Sequence, residues 1–214
     1  MRIQPALRAL PRLAVVASLV GATLAMSGCF PLAATGVAVG TLAAMDRRTI
    51  GAQTEDTGIE VKAAAQLRQQ IPDAGGISVT SFNRKVLLTG QVLDERSRTE
   101  AAAIVGRLDN VVSVHNELKV AGRVSLGTSA ADTSITARVK TALIDARDVQ
   151  ANTIKVVTEA GVVHLMGIVT RAEGERAAQV ASRVSGVQRV VTVFEYVTPD
   201  ELARIERVNR EAQK

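Results

Sequence analysis

A chain of 214 residues with 26 basic and 21 acidic side chains, a single cysteine, no tryptophan and 2% aromatic residues is narrowed before any motif is read. One cysteine excludes an internal disulfide, and cores without large rings must be built from Val, Ile, Leu and Ala, a supply that suits small α/β layers. Residues 1–28 hold three arginines and no acid, so without them the formal charge falls from +5 to +2, too little for the broad positive field that a nucleic acid requires.

Arg2, Arg8 and Arg12 precede an apolar segment, Leu13 to Met26, and small residues lead into the cysteine in Leu24-Ala25-Met26-Ser27-Gly28-Cys29. A helix needs about 20 residues to span a bilayer; this segment is shorter, so it reads as an export leader that is removed. It resembles the signal peptide of bacterial lipoproteins. The resemblance implies a diacylglycerol on the thiol of Cys29, cleavage after Gly28 and fatty acylation, as with palmitate, of the freed amine. Each buried methylene contributes about 0.8 kcal/mol, so several chains make release negligible. Phe30, where an Asp would signal retention in the inner membrane, implies delivery to the outer one. Residues 29–55 then form the lipid anchor and tether, with Pro31 to Met45 as a run of small apolar residues.

Beyond the tether the chain repeats itself at a spacing of about 76 residues. The first copy, 56–120, opens with a helix whose Ile59, Ala63 and Leu67 form one apolar face, with Thr57 and Glu60 as a capping box. Strands from Ile77 to Ser81 and from Lys85 to Thr89 flank Phe82-Asn83-Arg84 as a hairpin. Val86 and Leu88 share the buried side. A second helix presents Ala101, Ile104, Val105 and Leu108, and a last strand runs from Val111 to Val120. Gly, Ser and Ala dominate 121–131, which reads as a linker.

The second copy, 132–197, follows the same order. Asp132 or Thr133 caps a helix with Ile135, Val139 and Leu143 inward. Strands from Ile154 to Thr158 and from Val162 to Met166 flank Glu159-Ala160-Gly161, with Val163 and Leu165 buried and His164 on the opposite face. The second helix carries Ala177, Val180, Ala181 and Val184, and the last strand spans Val187 to Val197. Finally Thr198-Pro199-Asp200-Glu201 starts a C-terminal helix over 198–214, with Thr as cap, Pro at the first position and Leu202, Ile205 and Val208 along one side.

Helix, strand, strand, helix, strand predicts an α+β fold in which a three-stranded sheet carries both helices on one face. With Asp46 to Gln53 ahead of the first copy and Ala181-Ser182-Arg183-Val184-Ser185-Gly186-Val187 in the second, each unit resembles a BON domain. The pair behind a lipidation motif resembles the dual-BON outer-membrane lipoproteins of the DolP type. Asn110 replaces the glycine found at Gly186, a position where Asn tolerates the left-handed conformation.

No catalytic constellation emerges: His115 and His164 lie in strands of different units, and no pair has the spacing of metal ligands. Neither a metal nor another cofactor is expected, and the reading is non-enzymatic. The resemblance implies a phospholipid-associated module that faces the periplasm, maintains envelope integrity and, by family analogy, gathers at the division site. On the first helix of the second unit, Arg138, Lys140 and Arg147 with Ile144 and Val149 make up the expected phospholipid-binding set, an interfacial pattern of cations around apolar residues, while Asp145 and Asp148 dilute its charge. The alternative is a periplasmic protein partner, an assembly or cell-wall remodelling factor docked on exposed sheet edges and the C-terminal helix.

Overall fold

The computed structural model describes residues 46–71, 74–121 and 126–211. The leader, Cys29 and the tether up to Met45 lie outside the described residues.

The first repeat consists of α1 (Ile50–Gln70), β1 (Ile77–Phe82), β2 (Lys85–Val92), α2 (Glu95–Gly106), β3 (Ser113–Asn116) and β4 (Lys119–Val120). The second consists of α3 (Leu126–Asp145), β5 (Lys155–Glu159), β6 (Val162–Val169), α4 (Arg171–Ser182) and β7 (Arg189–Tyr196), and α5 (Pro199–Glu211) follows. In each sheet the middle strand pairs antiparallel with the hairpin strand before it and parallel with the strand that returns after the helix. The expected final strand of the first repeat is interrupted: β3 and β4 both pair with β2, and between them Leu118 turns into the core.

Both opening helices begin earlier than their expected caps. Thr49, not Thr57, caps α1 by accepting from the Ala52 N–H at 3.1 Å, and Thr57 sits mid-helix, donating to the Gln53 carbonyl. Glu60 therefore does not close a capping box; it accepts from the Ser81 N–H and from Lys155. Likewise α3 starts at Leu126, so half of the expected linker is helical and neither Asp132 nor Thr133 is its cap. A buried Asp stands at the same place in each repeat and serves the hairpin turn instead. Asp56 accepts from the N–H groups of Asn83 and Arg84, and Asp132 from those of Ala160 and Gly161, all at 2.7–2.8 Å. Those turns contain residues with positive φ, Asn83, Arg84, Ala160 and Gly161, and a carboxylate that binds both N–H groups holds the strained backbone in place.

Each repeat has its own core. Ile59, Ala63 and Leu67 of α1 meet Ala101, Ile104 and Val105 of α2 over Val86 and Leu88; Ile135, Val139 and Leu143 meet Ala177 and Ala181 over Val163 and Leu165. Both helices of a unit therefore lie on one face of its sheet. The opposite faces pack against each other: Phe82 and Leu87 of the first repeat join Met166, Ile168 and Val193 of the second in a third apolar cluster, with Ile205 of α5 against its edge. Four layers result, helices outside and two sheets within. His164, which alternation assigns to the outer side of its own sheet, is consequently only 2% exposed.

Candidate functional site

The opening helix of the second repeat presents three faces. Ile135, Val139 and Leu143 are buried. Residues two apart on a helix are turned by about 200°, so Arg138 and Lys140 flank that buried stripe on opposite sides. Ala137, Thr141 and Ile144 lie between them on the outer face, all exposed, and Ile144 is 65% exposed. Arg147 follows in the turn after the helix and is also exposed.

One member of the expected set is displaced. Val149 is 8% exposed and belongs to the core of the second repeat, because the chain folds back after Asp145 and tucks this side chain under the helix. It cannot enter a lipid layer. Arg138, Lys140, Ile144 and Arg147 remain on the surface, not as one patch but as a cation on either flank of a small, weakly polar outer face. Of the two acids that dilute the charge, Asp148 is held by Arg176 at 2.9 Å, whereas Asp145 is exposed and unpaired among the described residues. The three cations form no ion pair among the described residues either.

A second assembly joins segments far apart in sequence. Arg47 is buried and donates to the Ile168 carbonyl at 2.7 Å and to both oxygens of Glu173 at 2.7 and 3.2 Å, and its Nε lies 3.5 Å from Glu206 of α5. Its own carbonyl accepts from Asn209. The adjacent Arg48 turns the other way, pairing with Asp46 and with Asp56 and lying 4.1 Å over the Phe82 ring. Burial pushes the Asp56 carboxyl up, but hydrogen bonds from Ser81, Arg84, Arg48 and Asn83 outweigh it and hold the group below the usual carboxylate range. Neighbouring side chains thus grip one repeat each. The pattern of the sequence gives no warning of this, since Arg-Arg behind a tether reads as solvated charge.

The remaining polar cluster lies between the sheets. His164 Nε2 stands 3.7 Å from Glu117, which Arg189 holds at 2.9 Å. Burial, partly offset by Glu117, pushes the His164 imidazolium down, and burial with Lys85 does the same for His115. Among the described residues no three His, Cys, Asp or Glu side chains gather as metal ligands.

The model of the BON domain matches residues 55–122 and 131–198. The chain is 36% identical over 184 residues to the outer membrane lipoprotein DolP of Haemophilus influenzae, covering 85% of this chain and 95% of that protein. It is 32% identical to the 21 kDa hemolysin of Actinobacillus pleuropneumoniae, over 72% of this chain and 80% of the relative. To the osmotically-inducible protein Y of Escherichia coli it is 33% identical, over 66% and 72% of the two chains. Two matched domains, each with both helices on one side of its sheet, carry the conclusion: this chain belongs to the BON-domain family.

Proposed function

We propose that this protein is an outer-membrane lipoprotein, anchored through Cys29 and facing the periplasm, that maintains the cell envelope by binding anionic phospholipids through its second BON domain, without catalysis. The likeness to a protein named outer membrane lipoprotein DolP supports the location. The observation that carries the lipid reading is the outer face of α3, where exposed Ile144 lies between Lys140 and Arg138 with Arg147 beyond it and no carboxylate paired to any of them. A helix lying in a headgroup layer needs that arrangement, an apolar residue entering and cations on both flanks meeting phosphates. Each such cation near an anionic surface contributes about 1 kcal/mol. Binding is weak by itself and becomes effective because the acyl chains hold the domain at the surface.

A protein partner docked on α5 is less well supported. Ile205 packs against the apolar cluster between the sheets and Leu202 is half-buried, so two of the three apolar residues expected along α5 already have neighbours within the chain, and Val208 alone of them is exposed. The test uses residues 46–214 and vesicles containing phosphatidylglycerol or cardiolipin. Arg138→Glu/Lys140→Glu should lower affinity at least tenfold, and equal binding by the unaltered and reversed chains would refute the lipid reading.

A further inference from the structure

The two domains carry the same cleft, and the duplicated copies differ in its charge. In the first domain Glu55, Gly58, Ile59, Lys62, Asp109 and Asn110 line about 490 Å³; in the second Ala131, Ser134, Ile135, Arg138, Gly186 and Gln188 line about 600 Å³. A shift of 76 residues aligns Glu55 with Ala131, Gly58 with Ser134, Lys62 with Arg138, Asp109 with Ser185 and Asn110 with Gly186. The carboxylates of Glu55 and Asp109 have no counterpart in the second cleft, and the cation is kept.

What remains favours an anion. Asp132 also lines the second cleft, but its two oxygens are taken by the N–H groups of Ala160 and Gly161. Glu159, whose carboxyl is pushed up by burial and by Asp132, is not part of the lining. The Arg138 guanidinium lies about 3.1 Å from where a side chain on Gly186 would begin, so the glycine lets it rest against the turn. In the first domain Arg84 reaches across the rim, donating to the Asn110 carbonyl at 2.7 Å and facing Glu55 at 3.8 Å. Its counterpart in the second domain is Gly161, which has no side chain to close the opening. A guanidinium without an ion-pair partner offers paired N–H donors that match two phosphate oxygens, and the Ser134 hydroxyl and Gln188 amide supply neutral donors beside it.

We infer that the cleft formed by Ser134, Arg138, Gly186 and Gln188 seats the phosphodiester of an anionic phospholipid headgroup, and that Glu55 and Asp109 disable the equivalent cleft of the first domain. This rests on the membrane reading above and divides its labour: the outer face of α3 supplies adhesion, and the cleft supplies headgroup choice.

The experiment exchanges the charges between the domains. In residues 30–214, Ala131→Glu/Ser185→Asp installs the first domain's carboxylates without altering Arg138, Lys140 or Ile144, and all the changed side chains are exposed. Binding to phosphatidylglycerol vesicles should weaken at least tenfold, with adhesion to phosphatidylcholine vesicles unchanged. By NMR, glycerophosphoglycerol, the deacylated headgroup, should shift the Gly186 and Gln188 amides of the unaltered chain, and the Lys62 and Asn110 amides only after Glu55→Ala/Arg84→Gly/Asp109→Ser. If Ala131→Glu/Ser185→Asp has no effect while Arg138→Glu/Lys140→Glu abolishes vesicle binding, the cleft is refuted and the membrane reading stands. If neither double change matters, both fall. Should inorganic phosphate shift the same amides while glycerophosphoglycerol and vesicles do not, the cleft takes a free anion and its assignment to lipid is overturned.

Discussion

His164 occupies a place where burial and charge oppose each other. Its ring is enclosed between the two sheets, neither nitrogen has a hydrogen-bond partner, and the cation it would become faces both Glu117 and Arg189. Burial prevails, so the folded state binds the proton less readily than the unfolded chain, whose histidine titrates near about 6.5. Stability from this residue is therefore present above that pH and is lost as pH falls through and below it. The unfolding free energy should decline between pH 7 and pH 5, and His164→Asn should flatten part of the slope. His115 is held low in the same direction. A slope unchanged by His164→Asn would show that the imidazole does not contribute. Alternation of the strand revealed which way His164 points, but not that a second sheet covers it.

Among the elements, the strand that follows each hairpin turn carries a glycine two residues before its end, Gly90 in β2 and Gly167 in β6, yet the two are not equivalent. A methyl group on Gly90 would fall 1.9 Å from the Gly76 carbonyl oxygen, and the residue has φ of +107°. On Gly167 it would stand 2.9 Å from the Thr153 carbonyl oxygen, with no such dihedral. Both glycines let the 3₁₀ turn before the hairpin lie against the middle strand, but only Gly90 also needs the left-handed region. Gly90→Ala should cost at least about 3 kcal/mol and Gly167→Ala less, as read from urea midpoints. Equal losses would mean that contact alone sets the cost. The helices teach a related lesson. Periodicity located the buried faces of α1 and α3 correctly, but Thr57 and Asp132 were misleading as caps because a Thr or Asp that precedes an apolar run can equally sit inside a longer helix or bind a turn.

For the molecule as a whole, the two BON domains and α5 are linked by Arg47 and Arg48 as well as by the apolar cluster around Leu87 and Met166. Arg47→Ala would leave Glu173 buried at 9% exposure without its partner, a loss of about 3–5 kcal/mol for ion pairs of this kind. The side-chain contacts with the Ile168 carbonyl and with Glu206 of α5 are lost together with it, so the single calorimetric transition expected for the packed pair should broaden or split, and α5 should become more susceptible to protease. Arg47→Lys should restore little, because one ammonium cannot reproduce the bidentate contact. If Arg47→Ala unfolds in one transition at the original temperature, the clamp is unimportant.

Sequence alone determined the duplication, the α+β class, the order of elements, the inward residues of the four domain helices and the cap of α5 at Thr198, because these depend on local chemistry and on periods of 2 and 3.6 residues. Only the tertiary structure decided that the sheets face each other, that Val149 is core while Ile144 is surface, that Arg47 spans 126 residues to reach Glu173, and that matching clefts carry different charge. Such facts arise from pairing between distant segments, and a one-dimensional pattern records which side of an element is apolar without recording what comes to cover it.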